Sequence, residues 1–344
     1  MTDLAAAKAP DAAIDRADEL LRVENISVTY DVRSGFFGFG GRKLAAVDNV
    51  NFSIAPGETL GLIGESGSGK STVGRAIMRA VPTSSGRIDF AGSDITQAQG
   101  AALKRLRREI QMIFQDPYAS LNPRMRIFDI LAEPLLVHGI VKRASQARER
   151  VMAMLEAVGL PVDAAQRTPQ AFSGGQRQRI SIARALMLGP RLIIADEPVS
   201  ALDVSVRAQI LNLIRDLQAK LGTSYLFISH DLTVVRNVSH RVAILYLGQI
   251  VEIADSASIY ASPWHPYTQL LFASAYEPDP EAERNVTPVA RIGELPSAIT
   301  PPAGCRFHTR CPRAGDICRE RSPSLERKDE NKERWVACWF AEAS

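Results

Sequence analysis

The chain has 344 residues, 46% hydrophobic and 23% charged, enough for one large globular domain or a large and a small one, and too apolar for a disordered chain. Its 41 Lys and Arg against 38 Asp and Glu leave a net charge of +3, so no broad basic field is available to hold nucleic acid. No apolar run approaches the roughly 20 residues that cross a bilayer, and the first residues lack the basic start, apolar core and cleavage site of an export signal, which predicts a cytoplasmic chain that does not span a membrane.

Residues 1–19 read as a flexible leader, because their Ala, Asp and Lys show no sustained apolar face. From Leu20 short β-rich runs alternate with helical stretches: strands over 23–30, 46–54 and 59–63, a helix from Lys70, then strands over 87–90 and 111–114. The run Gly35-Phe36-Phe37-Gly38-Phe39-Gly40-Gly41 between the first two strands reads as a hairpin loop with partly packed Phe side chains, or else as a contact surface for a partner. Segments 127–138 and 145–158 have helical spacing with no strand between them, so a helical insert is expected over about 116–172. Helix and strand alternate again over 176–188, 192–195, 204–221, 224–228 and 242–247. The expected class is α/β, with a helical subdomain and the main domain spanning 20–261. Beyond Trp264 frequent prolines deny the chain long helices, and Cys305, Cys311, Cys318 and Cys338 all fall there. Residues 262–344 are therefore expected to form a small Pro/Cys-rich C-terminal appendage. Four cysteines gathered in one tail argue for one local site rather than for a disulfide framework.

Gly64-Glu65-Ser66-Gly67-Ser68-Gly69-Lys70-Ser71 follows an apolar strand and opens a helix, the strand-to-helix setting that a Gly-x4-Gly-Lys-Ser phosphate loop requires. Its glycines let backbone N–H groups face phosphates, and the helix N-terminus adds partial positive charge. Lys70 can reach the β- and γ-phosphates, and the Ser71 hydroxyl can bind Mg²⁺, with Thr72 next in the helix. Leu192-Ile193-Ile194-Ala195-Asp196-Glu197 reads as a buried strand ending in two carboxylates, Asp196 for Mg²⁺ and Glu197 for an attacking water. Phe172-Ser173-Gly174-Gly175-Gln176 is a second Gly turn into a helix, hence a second anion site.

These residues resemble an ATP-binding cassette (ABC) ATPase over about residues 20–261, with Ser173-Gly174-Gly175-Gln176 similar to the family signature and only Phe172 departing from its more usual Leu. The resemblance implies an ABC-type P-loop nucleotide-binding domain that takes ATP and Mg²⁺. It also implies roles for Gln115 as a ligand of Mg²⁺ and water that senses the transmembrane partner, for Asp203 in the loop that communicates across a dimer, and for His230 as the switch histidine at the γ-phosphate. Tyr30 is similarly implied to stack on adenine, or else packs as a hairpin tyrosine. Two cassettes of this family meet head to tail, each ATP lying between the Lys70 loop of one chain and the Ser173 turn of the other.

Segments 114–124, 262–268 and 304–312 look like those of the di- and oligopeptide import ATPases. That likeness implies an ATPase dimer, with a second and non-identical ATPase subunit, on the cytoplasmic face of the membrane. Its partners would be two integral-membrane permease subunits and, indirectly, an extracytoplasmic solute-binding protein, with no nucleic acid. Relatives importing nickel, glutathione or oligosaccharides remain alternatives, as does a soluble ABC ATPase of DNA repair or translation. The first two cysteine gaps of five and six residues lack the paired Cys-x2-Cys knuckles of structural zinc. The resemblance implies a [4Fe-4S] cluster on Cys305, Cys311, Cys318 and Cys338, with zinc or unliganded thiols as the alternatives.

Overall fold

The computed structural model describes residues 19–32, 42–275, 296–329 and 333–341. The Gly/Phe run 35–41 and residues 1–18 of the leader lie outside them. In chain order the strands are β1 (Leu21–Val32), β2 (Arg42–Ile54), β3 (Thr59–Ile63), β4 (Ser85–Phe90), β5 (Ser93–Asp94), β6 (Ile110–Ile113), β7 (Leu192–Asp196), β8 (Ser224–Ser229), β9 (Arg241–Tyr246), β10 (Gln249–Asp255), β11 (Glu326–Asp329) and β12 (Arg334–Val336).

β3, β7 and β8 are buried along their whole length, the pattern of strands covered on both faces. They lie in a sheet of order β11-β12-β10-β9-β3-β8-β7-β6, whose β9-β3-β8-β7-β6 part is parallel. Alternation then divides their side chains. Ile193, Tyr225 and Phe227 point into one apolar cluster with the helical insert and the helices Gly174–Leu186 and Val204–Leu221, whereas Leu60, Leu62, Ile194 and Leu226 point into another. That second cluster is roofed by an antiparallel sheet of order β2-β1-β4-β5. Withdrawing each such side chain fully from water stabilises the fold by about 1.5–3 kcal/mol.

Parallel pairing sets up the functional edge. Register puts Ile63 opposite Ser229, Asp196 opposite Ile228, and Ile113 opposite Ala195. The residues that follow, Gly64, His230, Glu197 and Gln115, therefore emerge at the same C-terminal edge of one sheet, where open α/β sheets hold ligands.

Between Gln115 and Ser173 the described structure has helices and 3-10 turns only, including Ile127–Val137 and Arg148–Ala157. Several elements escape the sequence pattern, a helix and a strand of the main domain among them. The helix Gly100–Glu109 buries only Leu106 among its Arg and Lys residues. β10 hides behind Glu252, a charged residue with no exposed surface.

Nor is the tail a separate unit. β12 pairs antiparallel with β10, Glu252 opposite Val336 and Ile253 opposite Trp335, so β12 and β11 extend the main sheet. Phe307, 1% exposed, meets the Tyr246 ring edge-on at 5.3 Å. Glu252 accepts the Trp264 and His265 N–H groups at 3.0 and 2.9 Å, and the Arg334 guanidinium lies over the Trp264 ring. The tail shares the core of the α/β domain through Tyr267, Phe272 and Phe307. The helix Pro266–Ala275 forms despite the prolines because Pro266 is its first residue, where the missing N–H costs nothing. Among the described residues no helix is long and apolar enough to cross a membrane.

Candidate nucleotide site

The phosphate loop leaves β3 and closes into the helix Lys70–Ile77. Gly69 has φ of +105°, and a Cβ there would stand 2.2 Å from the Ala46 carbonyl oxygen, so the loop rests against β2 as only glycine allows. Within the loop Lys70 Nζ donates to the carbonyls of Gly64 (2.7 Å) and Glu65 (3.0 Å). Burial lowers the pKa of Lys70, and the carboxylates of Glu197, Asp196 and Glu65 oppose that shift. Ser71 Oγ donates to Asp196 Oδ1 at 2.8 Å. Burial pushes the Asp196 carboxyl up, against the Ser71 bond. A buried carboxylate beside a hydroxyl is a hard oxygen pair, the donor type that Mg²⁺ takes.

Glu197, directly after Asp196, adopts a left-handed φ of +48°, a strained backbone for a residue with a side chain. Its N–H donates to the Ile228 carbonyl at 2.9 Å, and Ser200 Oγ donates to its carbonyl at 3.1 Å. This backbone turn aims the carboxylate between two other predicted residues. Gln115 Nε2 donates to Glu197 Oε2 at 2.9 Å, and His230 Nδ1 stands 3.0 Å from Oε1. Residues 115, 197 and 230 thus meet at one carboxylate, and Gln115 is bonded there rather than to the Ser71–Asp196 pair. A carboxylate held from both sides beside a phosphate loop can orient a water and take its proton.

The Ser173 turn stands apart from the loop. Ser173 Oγ accepts from the Gln176 N–H at 3.4 Å and Gln176 Oε1 accepts from the Ser173 N–H at 3.0 Å, a capping box that opens the helix Gly174–Leu186. Among the described residues no hydrogen bond joins this turn to residues 64–71. Ser173 and Gln176 are exposed, as is Asp203 at the start of the helix Val204–Leu221. Thr72 lies half-buried in the helix behind the loop. Tyr30 stands on β1 opposite Leu44 and packs against the apolar cluster under the antiparallel sheet.

Contacts distant in sequence gave no local signal. Arg177 lies over the Tyr118 ring at 3.9 Å and its Nε donates to the Pro169 carbonyl at 2.7 Å, tying the insert to the Ser173 helix. Arg207 Nη1 donates to Asp231 Oδ2 at 2.7 Å, which links the helix after Asp203 to the residue after His230.

No disulfide joins the four cysteines, and all line one small cavity with His265, Phe307 and Trp339. Burial pushes the Cys305 thiol up to about 11 and raises Cys311 and Cys338 as well. Among the described residues no three His, Cys, Asp or Glu side chains stand together as a metal-ion site. The expected metal staple therefore has no direct support in the arrangement of these ligands.

Comparison with known proteins bears on the same residues. The family model described as ABC transporter matches residues 47–200, and one described as oligopeptide/dipeptide transporter, C-terminal region, matches 251–318. The chain is 50% identical over 306 residues to a Brucella ovis ATP-binding protein assigned to peptide import by name only, covering 89% of this chain and 93% of that one. It is 47% identical over 317 residues to the oligopeptide transport ATP-binding protein OppF of Salmonella typhimurium, covering 92% and 95%. Among solved structures, a dimeric post-hydrolysis state of an ATP-binding cassette bound to ADP and Pi matches with a TM-score of 0.61 and 28% identity, over 69% of this chain and 98% of that one.

Proposed function

The chain belongs to the ABC transporter ATPases, close to their peptide-import ATP-binding subunits, and hydrolyses ATP as a transporter subunit; from that premise we propose that it drives import of di- or oligopeptides from the cytoplasmic face of a permease pair. The observation that carries the chemistry is the convergence of Gln115, Glu197 and His230 beside Lys70, Ser71 and Asp196 at one sheet edge. Lys70 leaves the Gly64 and Glu65 carbonyls for the β- and γ-phosphates, and the N–H groups of residues 66–71 cradle them. Glu197 takes a proton from water, Gln115 holds one carboxylate oxygen, and His230 holds the other while facing the γ-phosphate. Ser71 and Asp196 supply oxygen ligands for Mg²⁺, which when bound neutralises charge on the β- and γ-phosphates.

The Ser173 turn is exposed and, among the described residues, makes no hydrogen bond to the phosphate loop of its own chain, which favours a head-to-tail dimer in which Ser173, Gly174, Gly175 and Gln176 complete the nucleotide site of a second ATPase subunit. Asp203 and exposed Val204 lie on the same edge and suit contact across that dimer. Peptide cargo rests on the match of residues 251–318 and on relatives named for peptide import; nickel, glutathione and oligosaccharide importers are the competing cargo classes. Exposed Tyr118 and the insert around residues 118–129 are read as the groove for a short permease helix, because Gln115 joins that segment to Glu197. Cysteines placed there should cross-link to permease loops in the assembled transporter, and cross-links confined to residues 262–344 would refute the coupling.

For the cysteines the cluster reading is kept over zinc. A single zinc ion needs its four sulfurs about 2.3 Å away, whereas a four-iron cluster spreads its thiolates over separate irons. The reading rests on the likeness to the peptide-import ATPases and on four thiols lining one cavity. Anaerobic purification should yield a brown protein with four irons and four sulfides per chain, on the order the cluster type requires; stoichiometric zinc, or no metal, would rule it out.

A further inference from the structure

Two arginines of the tail, each next to a cysteine in sequence, bear on the phosphate loop, Arg310 directly at Glu65 and Arg306 through the turn that bonds Ser68. Arg310 Nη1 lies 3.2 Å from both Glu65 oxygens and Nη2 lies 3.2 Å from Oε1, a two-pronged grip on the residue that follows Gly64. The pair is largely shielded, with Arg310 11% exposed, and the guanidinium also stands 3.4 Å from Tyr246 Oη. Tyr267 Oη accepts the Glu65 N–H at 3.1 Å. The Glu65 carbonyl is one of the two that hold Lys70. Arg306 donates to the Leu247 carbonyl and to Asp48. Leu247 and Gly248 form the β9–β10 turn, where the Gly248 N–H donates to the Ser68 carbonyl at 2.8 Å and its carbonyl accepts from the Asp48 N–H. The turn from Cys305 to Cys311 that carries both arginines is closed by bonds from the His308 N–H to the Cys305 carbonyl and from the Cys305 N–H to the Cys318 carbonyl.

We propose that Arg310 is a positioning residue for ATP, with Arg306 fixing the β9–β10 turn that bonds Ser68: Arg310 neutralises and fixes Glu65, and so holds the phosphate loop open when Lys70 exchanges the Gly64 and Glu65 carbonyls for phosphate. Without Arg310 the Glu65 carboxylate would stand unpaired beside the site of a polyanion, and the loop would lose its outer anchor. The tail thereby acts on nucleotide binding, whatever its cysteines hold. This inference rests on the phosphate-loop reading of residues 64–71.

The test compares ATP affinity, KM and kcat of the assembled transporter for Arg310→Ala, Glu65→Gln and the double variant, with Lys70→Ala alongside. Arg310→Ala should weaken ATP binding and raise KM about tenfold while changing kcat little, because Gln115, Glu197 and His230 are untouched. The double variant should lose no more than Arg310→Ala alone, since Glu65 is the group through which Arg310 acts. Arg310→Lys, which keeps the charge and stem but not the fork, should give a smaller loss in the same direction and serves if Arg310→Ala loosens the tail. Lys328→Ala removes a tail cation paired with Glu326, away from the loop, and should change nothing. Unchanged affinity in both Arg310 variants, a loss confined to kcat, or losses that multiply in the double variant would overturn the proposal. Normal ATP binding by Lys70→Ala would instead overturn the phosphate-loop reading beneath it.

Discussion

Glu197→Gln is expected to reduce steady-state ATP hydrolysis by about 10²- to 10⁴-fold, the range for removing a positioned general base, while leaving ATP affinity within about threefold of the parent. The substitution isolates the base from its surroundings. A glutamine oxygen still accepts from Gln115 Nε2, and its amide N–H donates to an unprotonated His230 Nδ1, so both contacts at 2.9 and 3.0 Å survive. The strained φ of +48° and the backbone bonds to Ile228 and Ser200 do not involve the side chain. What is lost is a proton acceptor. If ATP closes two chains around two nucleotides, a variant that binds without hydrolysing should accumulate as an ATP-bound dimer, visible by size-exclusion chromatography with ATP and absent with ADP. Turnover at the parental rate in the assembled transporter would remove Glu197 from its role. A variant that had also lost ATP binding would mean that Glu197 holds the loop rather than the water.

The elements that build this site are those whose signals are local. β3, β7 and β8 announce themselves as short, mostly apolar runs, and parallel register then leaves little freedom in where the next residue emerges. The left-handed glycine at 69 and the capping pair Ser173 and Gln176 are likewise written within a few residues of each other. The helix Gly100–Glu109 is hidden because it covers the fold with Leu106 and part-buried Leu103 alone, among Arg and Lys residues, too short an apolar stripe to register as a period. β10 was hidden because Glu252 breaks its pattern, and that carboxylate is satisfied by Trp264 and His265 in a segment that composition assigns to the tail. The grip of Arg310 on Glu65 spans 245 residues and obeys no spacing rule. Local chemistry could identify the loop but not its anchor.

Lys70→Ala should produce the other large effect, and on a different step. Lys70 is 6% exposed and carries the cation nearest the loop, with Glu197, Asp196 and Glu65 all acting to keep it charged against the cost of burial. Hydrogen bonds to a charged group contribute about 1.5–3 kcal/mol, so deleting this one should weaken ATP binding by about 10- to 150-fold. Hydrolysis should fall further, because the charge that develops on the transferring phosphoryl group loses a donor worth about 10²–10³ in rate. The same deletion removes one of the groups that hold the Asp196 carboxyl down, after the Ser71 bond and Arg75, so burial pushes that group somewhat higher and weakens its ability to hold Mg²⁺. Raising Mg²⁺ should therefore recover only part of the loss. Folding should survive, since Lys70 spends its bonds on the Gly64 and Glu65 carbonyls within the loop itself while Val73, Ala76 and Ile77 anchor the helix behind it. Calorimetric titration with ATP, and a thermal unfolding curve for the same sample, distinguish the outcomes. A folded Lys70→Ala protein that binds ATP as tightly as the parent would show that the phosphates lie elsewhere, and with them the site at this sheet edge.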